Sequence, residues 1–235
     1  MIDPCVMSQA PDLLNDDGTA SMATALLMSH HGFRRDLARF AIALGRIDEG
    51  GSPVAAALGT EWQRYRATLH GHHEAEDKGL FPAVAAQRAD LRAVIDGLTS
   101  DHRRIDPLLE QGDRAFADLA SGGAAAASVV AQLSALLDQH LATEEARVVP
   151  FIRAAKAFPP PPTAAEAEMF ADGFAWASHG VAEDILERVY AMLPEVVTSR
   201  LPAARATFAE RSARVWGPTP SGASRTAVPD WLAGK

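Results

Sequence analysis

Two segments of the chain repeat one spacing of histidine, glutamate and proline. The segment HHEAEDKGLFP contains His72 and Glu76, and the segment HLATEEARVVP contains His140 and Glu144. Each segment ends in a proline six residues after its glutamate. A histidine and a glutamate four positions apart lie one turn apart on the same face of an α-helix. An imidazole beside a carboxylate, supplied twice, is the ligand set of a metal site built between helices.

Two further histidines, His30 and His102, lie on apolar stripes with helical spacing. Together with the two repeated segments they predict four amphipathic helices, each with one histidine on its apolar stripe. The predicted stripes are Leu26, His30, Phe33, Leu37, Phe40 and Leu44; Trp62, Tyr65, Leu69, His72, Glu76 and Leu80; Leu91, Val94, Leu98, His102, Ile105 and Leu109; and Val130, Leu133, Leu137, His140, Glu144, Val148 and Phe151.

Capping and breaking residues predict where these helices begin and end. We expect Thr19 or Ser21 to cap the first helix, and the sequence Asp-Glu-Gly-Gly at 48–51 to end it. Ser52 followed by Pro53 is typical of the start of the next helix.

Two prolines and a glycine pair mark the later boundaries. Pro82 is expected to kink or end the second helix, and Pro107 to bend the third, which starts near Asp90. Ser-Gly-Gly at 121–123 predicts the turn before the fourth helix.

The four histidines are expected to lie in one layer of an up-down-up-down bundle. The chain lengths on the two sides of each intervening turn differ by only about one to two residues, or ~1.5–3 Å of helix. Glu76 and Glu144 fall on the same buried stripes, where an unpaired carboxylate costs several kcal/mol. A pair of metal ions would neutralise the carboxylates and use the ring nitrogens, which favours a metal site over ordinary core packing.

The donor set indicates which metals fit. Two carboxylates that can bridge, with several neutral nitrogens and no thiolates, suit two iron or manganese ions better than structural zinc. The sequence HEAED lacks the second histidine of the H-E-x-x-H zinc motif. The pattern also differs from the Glu-x-x-His of ferritin-like sites.

Composition predicts a water-soluble all-α protein. Of the 235 residues 48% are hydrophobic but only 6% aromatic, which suits one helical core with chain left over. The net charge of −8 argues against nucleic acid or an anionic membrane as partner. The single cysteine, Cys5, excludes an intramolecular disulfide and suits the cytoplasm. The polar start of the chain predicts that it carries no signal peptide, and the lack of an apolar run near the roughly 20 residues that span a bilayer predicts no membrane helix.

Over about residues 20–155 the chain resembles the hemerythrin-like (HHE) family. The shared pattern is a histidine on the first helix, His-x-x-x-Glu followed by Leu-Phe-Pro, a lone histidine on the third helix, and a second His-x-x-x-Glu. The resemblance implies a four-helix bundle around a non-heme diiron centre, with manganese or zinc as other metals. It also implies that Glu76 and Glu144 bridge two Fe ions and that the histidines are terminal ligands.

The chain departs from respiratory hemerythrins at two positions. Asp106 stands four residues after His102, where those proteins have a second histidine, and Glu144 replaces a bridging aspartate that lies five residues after a histidine. An open coordination position would favour redox turnover over reversible oxygen carriage. His73 could supply a further nitrogen, as the equivalent residue does in the iron-sensing domain of a eukaryotic F-box protein, or could support a ligand. The candidate metal ligands are His30, His72, His73, Glu76, His102, His140 and Glu144.

Other polar residues near these motifs are expected to have other roles. His31 is predicted to lie at the surface or behind a ligand, and His70 to be solvated. Gly180 argues against a third motif at His179 and Glu183. Asp77 and Glu145 are predicted to be hydrogen-bond acceptors or surface charges, Tyr65 a core residue, and Arg34, Arg35 and Asp36 a solvated face.

The predicted organisation has four parts. Residues 1–18 form a loose tail, 19–157 the bundle, 158–216 a helical extension that packs on the bundle, and 217–235 a C-terminal tail. The run Phe-Pro-Pro-Pro-Pro at 158–162 ends the bundle. The extension could cap the bundle, gate the site or form a homodimer face.

Three functions remain open at this stage. The apolar lining, without an evident general acid or base, favours a protein that binds or senses O₂, NO or peroxide. An open coordination position would instead favour an enzyme that reduces peroxide or nitric oxide. Iron buffering or storage is a third, weaker alternative, because nothing in the sequence predicts a cage.

Overall fold

The computed structural model describes residues 13–47, 54–154 and 163–216, and within these ranges the chain forms helices and no β-strand. The bundle region comprises α1 (Met22–Leu44), α2 (Ala55–Ala75), α3 (Phe81–Gln87), α4 (Arg92–Ala117) and α5 (Ala124–Arg147). Helix α1 contacts α2 and α5, and α4 contacts the same two helices. The four long helices therefore form a closed ring of neighbours, and the predicted all-α, up-down-up-down four-helix bundle is confirmed.

Helix α1 begins where the capping residues predicted. Ser21 is the N-cap with extended backbone angles, and its backbone N–H donates to Thr24 Oγ1 at 2.9 Å. Below the histidine layer, the stripes of the four helices meet in an aromatic core. There Trp62 stacks on Phe116 with 4.5 Å between ring centroids. This core fixes the register that brings the histidines to one level.

The second helix does not end at Pro82. Helix α2 is followed by a π-helical segment, Glu76–Leu80, and then by α3, in which Pro82 occupies the first turn. A proline cannot donate the backbone hydrogen bond that an α-helix requires. The wider π turn before Pro82 accommodates the missing hydrogen bond, so the helical path continues to Gln87. The first residue of the π segment is the motif glutamate, and such segments often lie at functional sites.

The later boundaries agree with the sequence in most respects. A 3₁₀ turn at Ala89–Leu91 leads into α4, which contains Pro107 without an interruption. Gly122 adopts a φ of 108°, which is open to glycine, in the turn before α5. The predicted boundary signals at 48–53 lie outside the described residues.

Within residues 163–216 the extension forms four helices, which follow a short α6 (Val149–Ile152) at the end of the bundle. They are α7 (Ala164–Ser178), α8 (Glu183–Tyr190), α9 (Glu195–Thr198) and α10 (Leu201–Trp216). Helix α7 packs on α1 and on α10. Ile185 and Val189 of α8 are buried, whereas Phe170 of α7 is 44% exposed. The proline run at 158–162 is outside the described residues, and the domain boundaries stay a prediction.

The prediction of a solvated face at Arg34, Arg35 and Asp36 is wrong. The Arg34 side chain is only 11% exposed, because it pairs with Asp138 and Glu145 of α5, and α7 covers the outer face of α1 at the other two. Arg35 is 1% exposed and Asp36 8%. Arg35 Nη1 donates to the carbonyl oxygens of Trp176 and His179 at 3.0 and 2.8 Å. The sequence of α1 alone could not show that a second helix would cover this face.

Leu13, within the tail that we expected to be loose, is 1% exposed and packs in the apolar cluster between α1 and α8. Among the described residues, no helix combines the length and apolar character that crossing a bilayer requires. A cytoplasmic location stays a prediction.

Candidate metal centre

The structure brings all seven candidate ligands to the interior of the bundle. They come from every long helix and from the π segment, so no single element could form the cluster alone. The residues are His30 on α1, His72 and His73 on α2, Glu76 in the π segment, His102 on α4, and His140 and Glu144 on α5.

Their donor atoms form two overlapping groups. Within each group one nitrogen or oxygen atom per residue lies within 4.8 Å of every other. The first group offers two nitrogens and two carboxylates, whereas the second offers three nitrogens and one carboxylate. The groups are His30, His72, Glu76 and Glu144, and His73, Glu76, His102 and His140. Glu76 belongs to both, while Glu144 belongs to the first only.

The donor atoms are buried without hydrogen-bond partners in the described part of the chain. This holds for the Nε2 atoms of His30, His72 and His102 and for all carboxylate oxygens of Glu76 and Glu144. His72 Nε2 lies 2.9 Å from Glu76 Oε1, and His30 Nε2 lies 3.3 Å from Glu144 Oε2, but neither contact has hydrogen-bond geometry. Buried polar atoms normally find a partner. Cations between these atoms would supply it.

Carboxylates outside the two groups hold two of the histidine rings. His30 Nδ1 donates to Glu145 Oε1 at 2.9 Å, and His102 Nδ1 donates to Asp77 Oδ2 at 3.0 Å. A proton on Nδ1 leaves the Nε2 lone pair facing the centre, which is the arrangement that metal-binding histidines adopt. The geometry fits the predicted role of Asp77 and Glu145 as acceptors rather than ligands.

Each of these acceptors follows a motif glutamate directly and is itself held in place. Arg34 Nη1 donates to Glu145 Oε1 at 2.6 Å, and Thr99 Oγ1 donates to Asp77 Oδ1 at 2.9 Å. Asp101 Oδ2 lies 3.9 Å from His140 Nδ1, a neighbour that sequence reasoning missed. Its position directly before His102 was the available signal.

Burial and neighbouring charges shift the pKa values of the cluster residues in different directions. Burial lowers the pKa of His72 to about 3 and that of His140 to about 4, which keeps both rings neutral, the form that binds metal. Burial raises the pKa of Glu76, and the nearby Glu144 carboxylate raises it further. Burial alone would lower the pKa of His30, but Glu144 and Glu145 raise it. A bound cation would favour ionised Glu76 and neutral His30.

The histidines outside the two groups behave differently from one another. His70 is exposed, as predicted, and His179 lies in the extension away from both groups. Of the two positions expected for His31, the surface one is wrong, because its side chain is fully buried; a position behind a ligand stays a prediction. Helix α7 and its neighbours cover that face of α1. Tyr65 is buried against Phe33 in the core, as predicted.

The model of the Hemerythrin HHE cation binding domain matches residues 21–152, more than half of the chain. The chain belongs to this family. The predicted resemblance is thereby confirmed, and the matched range includes every residue of the two hemerythrin-type ligand groups. Comparison with curated proteins and with solved structures gave no match.

Family membership and the two ligand groups together indicate a metal-binding protein. The hemerythrin HHE domain here has Asp106 exposed on α4, so this residue does not replace the second histidine of respiratory hemerythrins as a donor. The second group instead obtains its third nitrogen from His73, which is 4% exposed. That His73 is a ligand, and that Glu144 bridges, stay predictions.

Proposed function

We propose that the chain binds two iron ions, one in each ligand group with Glu76 shared, and that this centre binds or senses O₂, NO or peroxide. The observation that carries the proposal is the convergence of buried donor atoms that have no other partners among the described residues. Nitrogen and carboxylate donors without thiolate suit non-heme iron. When bound, an iron pair supplies electrons to a small oxidant.

The chain's own residues would prepare the site for small ligands. Six of the seven candidate ligands are buried, and the His72 side chain is only 12% exposed, so bulk water is largely excluded. Four donors in each group leave room for an additional small ligand, because iron commonly accepts more than four. Asp77 and Glu145 keep the Nδ1 protons of His102 and His30 away from the centre.

Anaerobic reconstitution with Fe(II) tests the proposal. We expect about two iron atoms per chain in the wild type, because there are two donor groups, and a large loss in Glu76→Ala, since Glu76 serves both groups. Glu74→Ala, an exposed glutamate two residues earlier, is the matched control and should retain both ions. Equal iron content in the wild type and Glu76→Ala would contradict the assignment.

An enzyme that reduces peroxide or nitric oxide is the second candidate. The exposure of Asp106 favours it, because the α4 position that is a second ligand in respiratory hemerythrins supplies none here. Stopped-flow mixing of the reduced, iron-loaded protein with O₂ or peroxide separates the two functions. A new absorption band that disappears under vacuum supports binding, whereas many equivalents of peroxide consumed per chain support an enzyme.

A further inference from the structure

The contact of helix α7 with α1 includes a tryptophan placed against a glycine. A Cβ atom added at Gly32 would lie 2.6 Å from Cζ2 of Trp176, closer than real contacts allow. The indole Nε1 donates to Asp36 Oδ2 at 2.7 Å. Only a residue without a side chain lets the indole approach α1 this closely. The docking is therefore specific rather than a general apolar contact.

Two ring contacts join the Trp176 indole to the candidate metal centre, with Phe33 between the indole and His72. Trp176 lies against Phe33 with 4.9 Å between centroids, and Phe33 lies against His72 with 5.0 Å. Phe33 is fully buried, so its ring has little freedom to move independently of the two neighbours. A displacement of Trp176 would open space beside Phe33 and release the His72 ring.

This connection reaches one ligand group directly and the other only through a further ring. His72 belongs to the group with His30 and Glu144. In the second group, His73 stacks on His102 with 3.9 Å between ring centroids, and Phe81 packs on His102 at 5.7 Å. These rings join the connection where His73 lies 5.8 Å from His72, so the second group is one ring further from Trp176.

We propose that the extension is coupled to the first ligand group: Trp176, acting through Phe33, positions His72 for metal binding, and an ion in that group in turn stabilises the docking of α7 on α1. The inference rests on the proposed function. Coupling of this kind is reciprocal, so each event changes the free energy of the other by the same amount. Trp176 and Phe33 are positioning residues, because neither is a donor in the groups.

Metal binding by full-length variants tests the first half of the proposal, with Co(II) under argon as the probe and atoms per chain measured over a range of free Co(II). Trp176→Ala removes the ring, and Gly32→Ala displaces it. Each should weaken one of the two binding events about tenfold, as loss of support for a ligand does. Trp176→Phe keeps a ring and should recover most of the affinity.

A matched control separates positioning from loss of stability. Leu193→Ala opens a cavity in the extension's own apolar cluster, which includes Val197 and Leu201 but not Phe33. It should lower the unfolding temperature and leave both Co(II) affinities unchanged. A weakening of Co(II) binding in Leu193→Ala equal to that in Trp176→Ala would overturn the proposal.

Ligand variants show which group responds. In a His102→Ala background the remaining ion occupies the first group, so adding Trp176→Ala should weaken it about tenfold. In a Glu144→Ala background the remaining ion occupies the second group, which lies one ring further from Trp176, and the same change should have a much smaller effect. Equal effects in both backgrounds, or none in either, would overturn the inference.

Hydrogen exchange tests the reciprocal half. Saturation with Co(II) should slow amide exchange across α7 in the wild type but not in Glu144→Ala. Unchanged exchange in the saturated wild type would contradict the coupling. A wild type that binds no Co(II) would refute the proposed function itself, whereas two normal ions in Trp176→Ala and Gly32→Ala would refute only this inference.

Discussion

Helix α1 lies between two buried polar clusters that are built in opposite ways. On its inner face, His30 Nε2 and the Glu144 oxygens lie in the bundle without hydrogen bonds. On its outer face, the Asp36 carboxylate accepts hydrogen bonds from Arg35 Nε at 2.8 Å and Trp176 Nε1 at 2.7 Å, and Arg39 Nη1 lies 3.4 Å from it. Both clusters bury charge, but of these carboxylates only that of the outer cluster accepts hydrogen bonds from the described residues.

The difference shows that burial of charge alone does not mark a metal site. The outer carboxylate is satisfied by protein groups, so its pKa is lowered: burial opposes ionisation, but Arg35 and Arg39 favour it more strongly. The inner carboxylates differ from each other. Burial and the Glu144 carboxylate raise the pKa of Glu76. Burial also opposes ionisation of Glu144, but His30, whose Nε2 lies 3.3 Å from Glu144 Oε2, outweighs burial and lowers the pKa of Glu144. An inner cluster that needs a cation and an outer cluster that does not should respond differently to substitution.

The largest expected effect is on the outer cluster. Asp36→Ala leaves Arg35 and Arg39 buried near each other without their shared carboxylate. Breaking a buried pair on one side costs about 3–5 kcal/mol, and we expect the free energy of unfolding to fall by that amount in urea titrations without added metal.

Asp90→Ala serves as its control, because this carboxylate pairs with Arg88 at the surface. The control should unfold at the wild-type urea concentration. A similar midpoint for Asp36→Ala would show that the outer cluster contributes little to stability.

The inner cluster should depend on metal instead. Glu144→Ala should reduce the metal content sharply and abolish the stabilisation that metal gives, which is about 2.7 kcal/mol when the free ion is at 100 times its dissociation constant. After chelation the variant should lose less stability, because the stabilisation that metal gives is then absent from the wild type as well. Urea titrations with and without Fe(II) measure both values. Equal losses in the two conditions would argue against a metal role for Glu144.

A smaller effect is expected where a carboxylate supports a ligand. Asp77→Ala removes the acceptor of His102 Nδ1–H, and such support typically contributes about 10–100-fold in metal affinity. Competition with a chelator of known affinity measures the change. Glu74→Ala, which breaks only the surface contact with Lys78, should retain wild-type affinity, and a loss there equal to that in Asp77→Ala would refute the specific role.

The smallest effect should be at His70, two residues before the motif histidine. Its side chain is exposed and belongs to neither group, so His70→Ala should keep both the iron content and the unfolding midpoint. Atomic absorption and thermal unfolding check this. Any loss of iron in this variant would mean that His70 also contributes to metal binding.

The sequence predicted the inner cluster far better than the outer one. The histidine and glutamate positions follow from apolar periodicity, and periodicity reports the face that a helix buries in its own bundle. Arg35 and Asp36 violate the usual rule that charged residues are exposed. Their burial depends on α7, which lies more than a hundred residues later in the chain, and no local pattern in α1 encodes that contact.

The site itself was only partly predictable. Asp77 and Glu145 carried a local signal, because an acid follows the motif glutamate in both repeats. No local signal in the sequence predicted the contact of Trp176 with Gly32, since a glycine inside a helix usually indicates only weaker helix propensity. The division of the ligands into two unequal groups also required the structure, because helix rotation, not spacing, decides that Glu144 reaches only one of them.

The π-helical segment after α2 changes the direction in which the side chains of the following helix α3 point. One extra residue in a turn rotates the downstream helix by about 100° relative to an uninterrupted α-helix. With that offset, Phe81 lies beside the His102 ring, with 16° between the planes. The second repeat has the same interval between glutamate and proline but passes it by ending α5 at Arg147 and beginning α6 at Val149. We therefore expect deletion of Gly79, which lies in the π segment, to keep Glu76 in place and to rotate Phe81 away from His102.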